Sequence, residues 1–191
     1  MGIIGSIIGA AMDVNKLVKQ SKAQKDTTTQ HVVVNGKYSI DVPSFLSPRS
    51  LSGTDASLYY GSRSLGISFM VIDESKEEFI QALQELQSRL PSIFEKDSSL
   101  LDHFATFVIN KMFEIDKVEI GGYRSVQIDG LNALIMNVFQ KRTFFKDAVY
   151  GSFAFIEGKD MLYQIDILSG GTSISKLADK IEQSIYSFRE I

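Results

Sequence analysis

The 191-residue sequence contains no cysteine, only two histidines and no run of 18 consecutive apolar residues. Without cysteine, disulfides, cysteine nucleophiles, thiolate zinc sites and cysteine-ligated clusters are excluded. His31 and His103 are too few for a histidine-rich metal site, so we expect neither a metal nor another cofactor. No transmembrane helix is expected either, because about 20 mostly apolar residues are needed to span a bilayer.

An excess of positive charge is also lacking. The net charge is -3 and the isoelectric point about 5.4, whereas a domain that binds nucleic acid usually carries a basic face. We therefore expect no nucleic-acid partner. What the sequence does contain is material for a core, since 44% of its residues are hydrophobic and 13 are Phe. Its length suits one soluble domain with an extension.

The first 24 residues differ from the rest of the chain. Met1–Met12 carries no charged side chain, and the apolar positions from Ile3 to Val18 recur at helical spacing. Lysines follow this apolar run, which reverses the order of a secretory signal and favours a cytoplasmic location, with or without membrane association. We predict an apolar, amphipathic helix over residues 1–24, a polar linker over 25–30 and a folded domain over 31–191.

Local signals in the folded domain predict strands, then helices, then further strands and a last helix. Asn35-Gly36 lies between two β-rich runs and predicts a type I′ hairpin. Asp97 is predicted to cap a helix, and Gly121-Gly122 is predicted to interrupt a strand. Because strands follow strands instead of alternating with helices, we predict an α+β fold with a mostly antiparallel sheet covered by helices.

Six short segments occur in an order that is typical of a known superfamily. The segments are Tyr38-Ser-Ile-Asp-Val-Pro43, Ala56-Ser-Leu-Tyr-Tyr60, Ile67 to Ile72, Val126-Gln-Ile-Asp-Gly130, Leu131-Asn-Ala133 and Ser184-Ile-Tyr-Ser-Phe188. In this order they resemble the PsbP-like superfamily, which also includes the Ran-binding Mog proteins, DcrB and the Eag-type secretion chaperones. The resemblance covers about residues 31–190 and implies an α/β/α sandwich. It also implies a binding or assembly role, because the members typical of the superfamily are not enzymes.

The sequence shows no constellation that predicts catalysis. His103 follows Asp102 on a predicted helix, so the two side chains point to different faces, and no G-x-S-x-G elbow is present. The acids between Asp73 and Glu78 stand where a helix begins, and acidic side chains there favour the positive end of the helix dipole. We therefore expect that the protein is not an enzyme.

Two regions are candidates for partner binding. The first is the apolar N-terminal helix, which is interpreted as a contact with a membrane through residues 1–18, with a partner, with a second copy or with its own domain, or else as a flexible, disordered segment. The second is a basic, aromatic connection between two strands, whose rings either face a partner or fold back onto the sheet. The residues concerned are Ile3, Ile4, Ile7, Ile8, Lys141, Arg142, Phe144, Phe145 and Lys146.

These observations favour a non-enzymatic binding or assembly module, such as an adaptor or chaperone for an apolar partner segment. A protein partner is expected, and this partner is either another protein or a second copy of the same chain in a homo-oligomer. Two alternatives stay open. One is a small-molecule carrier or enzyme whose site is built from dispersed residues, for which a deep pocket with convergent polar groups would be the sign. The other is a structural subunit of a larger complex.

Overall fold

The computed structural model describes residues 18–19, 21–89, 98–113, 118–141, 148–170 and 173–191. Ten strands and three helices lie within these ranges, together with a short helical stretch at 21–25. The strands are β1 (Thr29–Val34), β2 (Tyr38–Pro43), β3 (Ser47–Pro48), β4 (Leu58–Ser62), β5 (Ile67–Ser75), β6 (Val118–Ile128), β7 (Leu131–Gln140), β8 (Val149–Glu157), β9 (Met161–Gly170) and β10 (Arg189–Glu190). The helices are α1 (Lys76–Arg89), α2 (Leu100–Met112) and α3 (Ser173–Tyr186).

The strands form two antiparallel sheets. A small sheet has the order β1-β2-β10, and a seven-stranded sheet has the order β3-β4-β5-β9-β8-β7-β6. Tight turns join neighbouring strands where the backbone has positive φ, at Asn35 (50°) and Gly36 (68°) and again at Asp129 (53°) and Gly130 (80°). The predicted Asn35-Gly36 hairpin is therefore confirmed. Both turns place two consecutive residues at positive φ, a conformation that Asn, Asp and Gly tolerate best.

Each face of the large sheet carries its own hydrophobic core. One face packs against the small sheet and α3, with Phe69, Ile165 and Ile181 among its buried side chains. The other face packs against α1 and α2, with Phe104 and Phe155 at its centre. The predicted α+β fold, a mostly antiparallel sheet between helical layers, is confirmed.

Two local predictions need correction. Gly121-Gly122 does not end a strand, because β6 continues through it with a β-bulge between Gly121 and Tyr123 while its pairing with β7 resumes beyond. The cap of α2 is Ser99, whose hydroxyl accepts a hydrogen bond from the Asp102 backbone N–H while the Asp102 carboxylate accepts one from the Ser99 N–H. Asp97, the predicted cap, lies outside the described residues.

The chain just before β1 is packed against the folded domain. Ala23 is 3% exposed within the core that includes α3. The Lys180 ammonium donates hydrogen bonds to the backbone carbonyls of Ala23, at 2.9 Å, and of Asp26. β1 begins at Thr29, inside the stretch 25–30 that was predicted as a linker. In the part of the chain that the structure describes, no helix is long and apolar enough to cross a membrane.

Candidate functional site

Two adjacent strands place polar side chains beneath helices α1 and α2. Alternate residues of β9 face these helices, so Gln164 and Asp166 lie on the same side of the sheet as the buried Leu162. The antiparallel register sets Met70 of β5 opposite Asp166 and Ile72 opposite Gln164. These four residues form the floor of an open cavity of about 580 Å³.

Aromatic and aliphatic side chains from α1 and α2 form the walls of this cavity. The Phe79 ring meets the Phe104 ring edge to face at 5.1 Å between centroids, and the Phe107 ring lies 6.1 Å from that of Phe79. Val108 and Met112 continue the wall along α2. We call this cavity, from the β5–β9 floor to the α1–α2 walls, the helical groove. Phe104 is 2% exposed, but Phe107 is 50% exposed, so apolar surface extends from the groove to solvent.

The carboxyl group of Asp166 is the most unusual group in the helical groove. The residue is 1% exposed. The side-chain amide of Gln164 donates a hydrogen bond of 2.7 Å to the Oδ2 atom of Asp166. The Oδ1 atom of Asp166 has no hydrogen-bond partner among the described residues. Burial raises the pKa of this carboxyl from 3.8 to about 7, against the lowering effect of the Gln164 hydrogen bond. Asp166 therefore changes its charge near neutral pH.

The rim of the helical groove is mainly acidic. Asp55, Glu74 and Glu78 stand around the opening, and Lys111 is the one basic residue among the described residues that line it. Ser75 fixes the start of α1 beside these acids, because its hydroxyl accepts a hydrogen bond of 3.3 Å from the Glu78 backbone N–H. The groove thus combines apolar walls with negative potential, which suits an apolar ligand that carries a positive charge.

A metal site and a catalytic triad are less well supported by the described residues. No group of three or more His, Asp or Glu side chains arranged to hold a metal ion occurs in the described ranges. Asp102 accepts a hydrogen bond from the Tyr123 hydroxyl and caps α2. The hydrogen bond from Tyr123, followed by those from Ser99, holds the pKa of the Asp102 carboxyl below its usual range.

A second, smaller cavity of about 260 Å³ lies on the opposite face of the large sheet. An Arg124–Glu182 ion pair and the stacked rings of Phe139 and Tyr150, 4.5 Å apart, take part in its lining. Its charged groups neutralise each other, and the described residues that line it hold no buried side-chain nitrogen or oxygen without a hydrogen-bond partner. We therefore take the helical groove as the candidate functional site.

Lys141 is the one described residue among those predicted to bind a partner, and it is not part of the groove lining. Its side chain is 63% exposed and paired with Glu119 of β6. All the other predicted contact residues lie outside the described residues, namely Ile3, Ile4, Ile7, Ile8, Arg142, Phe144, Phe145 and Lys146. Their predicted roles stay predictions.

The sequence analysis did not single out the helical groove. A signal was present in β9, because Gln164 and Asp166 are two polar residues at alternate positions of a strand that is otherwise apolar on that face. Such a pair predicts a polar site on the face of the sheet that other elements cover. The groove's other residues come from β5, α1, α2 and the segment 54–56, and no local pattern links them.

Comparison with known proteins identifies the fold. No family model and no curated protein matches the sequence. Among solved structures, PsbP (CyanoP) from Synechocystis sp. PCC 6803 matches with a TM-score of 0.58 at 11% identity, over 86% of this chain and 93% of that one. The Ran-binding protein Mog1p of Saccharomyces cerevisiae matches with a TM-score of 0.56 at 13% identity, over 85% of this chain and 95% of that one. The chain therefore has the PsbP-like fold that its sequence resemblance implied, and at these identities the likeness shows the fold alone.

Proposed function

We propose that this protein is a non-enzymatic binding module that holds an apolar segment of a partner protein in the helical groove, as an adaptor or chaperone would. The observation that carries the proposal is the continuous apolar surface from the buried Phe104 to the half-exposed Phe107. Exposed apolar surface that leads into a pocket is typical of a site that a partner covers. Mog1p, which shares the fold, is itself a Ran-binding protein, and this likeness supports a binding role.

Replacing Phe107 with alanine tests the apolar part of the site. We expect Phe107→Ala to weaken binding of the neutral apolar dye Nile red at least tenfold, because a lost contact worth about 1.4 kcal/mol corresponds to that factor. Fluorescence titration measures the affinity, and thermal unfolding checks that the fold is kept. Val33→Ala is the matched control, since Val33 is 56% exposed but belongs to the small sheet. Equal affinity for the dye in wild type and Phe107→Ala would contradict the proposal.

A second candidate function is a carrier or enzyme for a small molecule. The observation that favours it is Asp166, because a carboxyl with a pKa near 7 in an apolar pocket is suited to general acid–base work. Native mass spectrometry of the protein purified from its source distinguishes the two candidates. A bound small molecule supports the carrier or enzyme, and a bound polypeptide supports the binding module.

We propose further that the apolar N-terminal segment attaches the module to a membrane or a partner. Because Ala23 is buried and the Lys180 ammonium donates hydrogen bonds to the carbonyls of Ala23 and Asp26, a truncation that preserves the folded domain has to end before Ala23. The basic connection from Lys141 to Lys146 is proposed as a second contact, supported by the exposure of Lys141.

Removing residues 1–17 is therefore expected to abolish association with vesicles without changing the melting temperature. Co-sedimentation with equimolar phosphatidylcholine and phosphatidylglycerol vesicles measures the association, since apolar burial and basic side chains both favour such a surface. In the full-length chain, the combined changes Ile3→Ser, Ile4→Ser, Ile7→Ser and Ile8→Ser form the control for chain length and should have the same effect. Retained vesicle binding by the truncated protein would rule out this segment as the membrane anchor.

A further inference from the structure

Asp166 brings an unpaired carboxyl oxygen to the floor of the helical groove. Gln164 satisfies Oδ2, but Oδ1 finds no donor among the described residues. A buried polar atom without a partner destabilises the folded state, and more strongly when it carries a charge. An occupant that brought a donor to Oδ1 would remove this cost on binding.

The charged groups around Asp166 determine whether the donor group of an occupant should be positively or negatively charged. Asp55 in the segment before β4, Glu74 at the end of β5 and Glu78 on α1 line the groove with it, and Lys111 on α2 is the basic group on this lining. This excess of carboxyl groups attracts a cation and repels an anion. A purely apolar occupant would leave Oδ1 unpaired, so the occupant that fits best has a cationic end.

The walls define the rest of the occupant. Phe79 and Phe107 line the groove together with Asp166, and aromatic faces attract cations as well as alkyl chains. Lysine and arginine side chains match this lining, because an apolar stem carries their charged end. Phe107 extends the apolar surface beyond the floor, where the residues next to such a side chain would lie.

We propose, building on the binding role above, that the occupant is an apolar segment of a partner protein that contains a lysine or arginine, whose charged group pairs with Oδ1 of Asp166.

Two peptides that differ in one charged group test this pairing. The probes are a blocked heptapeptide, Ser-Leu-Ala-Lys-Ala-Leu-Ser, and its counterpart with norleucine, which has the same alkyl chain without the ammonium. By calorimetric titration at pH 8, the full-length protein should bind the lysine peptide at least tenfold more tightly than the norleucine peptide. Asp166→Asn should reduce this ratio to about one. Asp129→Asn, in an exposed turn outside the groove lining, should leave this ratio unchanged.

The outcomes separate this inference from the proposed function. Equal affinity for both peptides, with no effect of Asp166→Asn, overturns the ion pair and leaves the apolar binding site standing. Failure of both peptides and of Nile red to bind overturns the proposed function as well. If free n-butylamine binds as tightly as the lysine peptide, the occupant is a small amine, and a partner segment is overturned.

A pH profile of the unmodified protein tests the pairing without any change at Asp166. Because the pKa of Asp166 is about 7, its ionised fraction and hence the affinity for the lysine peptide should rise about tenfold from pH 6 to pH 8. The affinity for the norleucine peptide should not rise. His103→Gln, a change on α2 outside the groove lining, serves as the control and should keep the profile. A flat profile for the lysine peptide overturns the inference.

Discussion

Asparagine in place of Asp166 is expected to change how the stability of the protein depends on pH. Between pH 5 and pH 8, the difference in unfolding free energy between Asp166→Asn and wild type should shift by about 3 kcal/mol in favour of the variant. Chemical denaturation at a series of pH values measures this shift. It is large beside the total stability of a typical domain, which is about 5–15 kcal/mol.

The wild-type protein loses stability as the pH rises because the folded state holds the Asp166 proton more tightly than the unfolded state does. Burial raises the pKa of Asp166 from 3.8 to about 7 in the folded state, while the unfolded chain keeps a value near 3.8. As the pH rises between these two values, the unfolded state loses this proton and the folded state retains it, so the folded state loses stability. Above about pH 7 the loss is complete and the contribution of Asp166 becomes constant. Asparagine carries no such proton and removes this dependence.

Raising the pKa of Asp166 from 3.8 to about 7 means that its ionised form costs the folded state about 4 kcal/mol at pH 8. The amide nitrogen of Asp166→Asn is itself left without a partner at a cost of about 1–3 kcal/mol, so the net gain of the variant at pH 8 should be about 2 kcal/mol. Asp129→Asn changes a carboxyl that is 43% exposed in a turn and should keep the wild-type dependence on pH. If Asp166→Asn and wild type show parallel stability curves, the carboxyl is not buried unpaired, and the ion pair proposed with a partner's cation would lose its physical basis.

A group that costs the folded state stability is informative about function. Natural interiors rarely keep an acid without a partner, and those that do commonly have a binding or catalytic use for it. In this protein the costly group stands at the floor of the helical groove and not in the core on the opposite face of the sheet. The same change that stabilises the protein should therefore weaken its binding of a cationic segment, a trade-off that is common at functional sites.

Features that depend on residues close together in the sequence were predictable from it. The turns at Asn35-Gly36 and Asp129-Gly130 follow from the few residue types that tolerate positive φ. The antiparallel α+β architecture follows from strands that succeed one another along the chain. The interruption predicted at Gly121-Gly122 was wrong, because the pairing with β7 on both sides carries the strand through a bulge that the local sequence does not reveal.

The helical groove was not predictable by the same means. Its floor exists because β5 pairs with β9, which brings Met70 beside Asp166 across half of the chain. Hydrophobic periodicity reports which face of a strand is buried, but it does not report which strands are neighbours. The order of strands and the placement of α1 and α2 above this pair are tertiary facts, so only the polar pair Gln164 and Asp166 left a trace in the sequence.

Replacing Phe188, on the face of the sheet away from the groove, is expected to lower stability without affecting the groove. The residue is fully buried, stacked on Tyr38 at 5.4 Å and tilted against Tyr163 at 4.8 Å between ring centroids. These rings come from the small sheet, from β9 and from the stretch after α3, so Phe188 joins three parts of the fold. We expect Phe188→Ala to lower the unfolding free energy by about 3–5 kcal/mol through the cavity that it leaves. The melting temperature should fall by about 10 °C.

Phe188→Leu is the control, because it keeps most of the apolar volume and should cost less than about 1.5 kcal/mol. Denaturant titration measures both variants. Below its melting temperature, Phe188→Ala should still bind Nile red with wild-type affinity, because the large sheet separates Phe188 from the helical groove. A weakened affinity in the folded variant would mean that the two faces of the sheet are coupled, and that the groove depends on packing beyond α1, α2 and the β5–β9 floor.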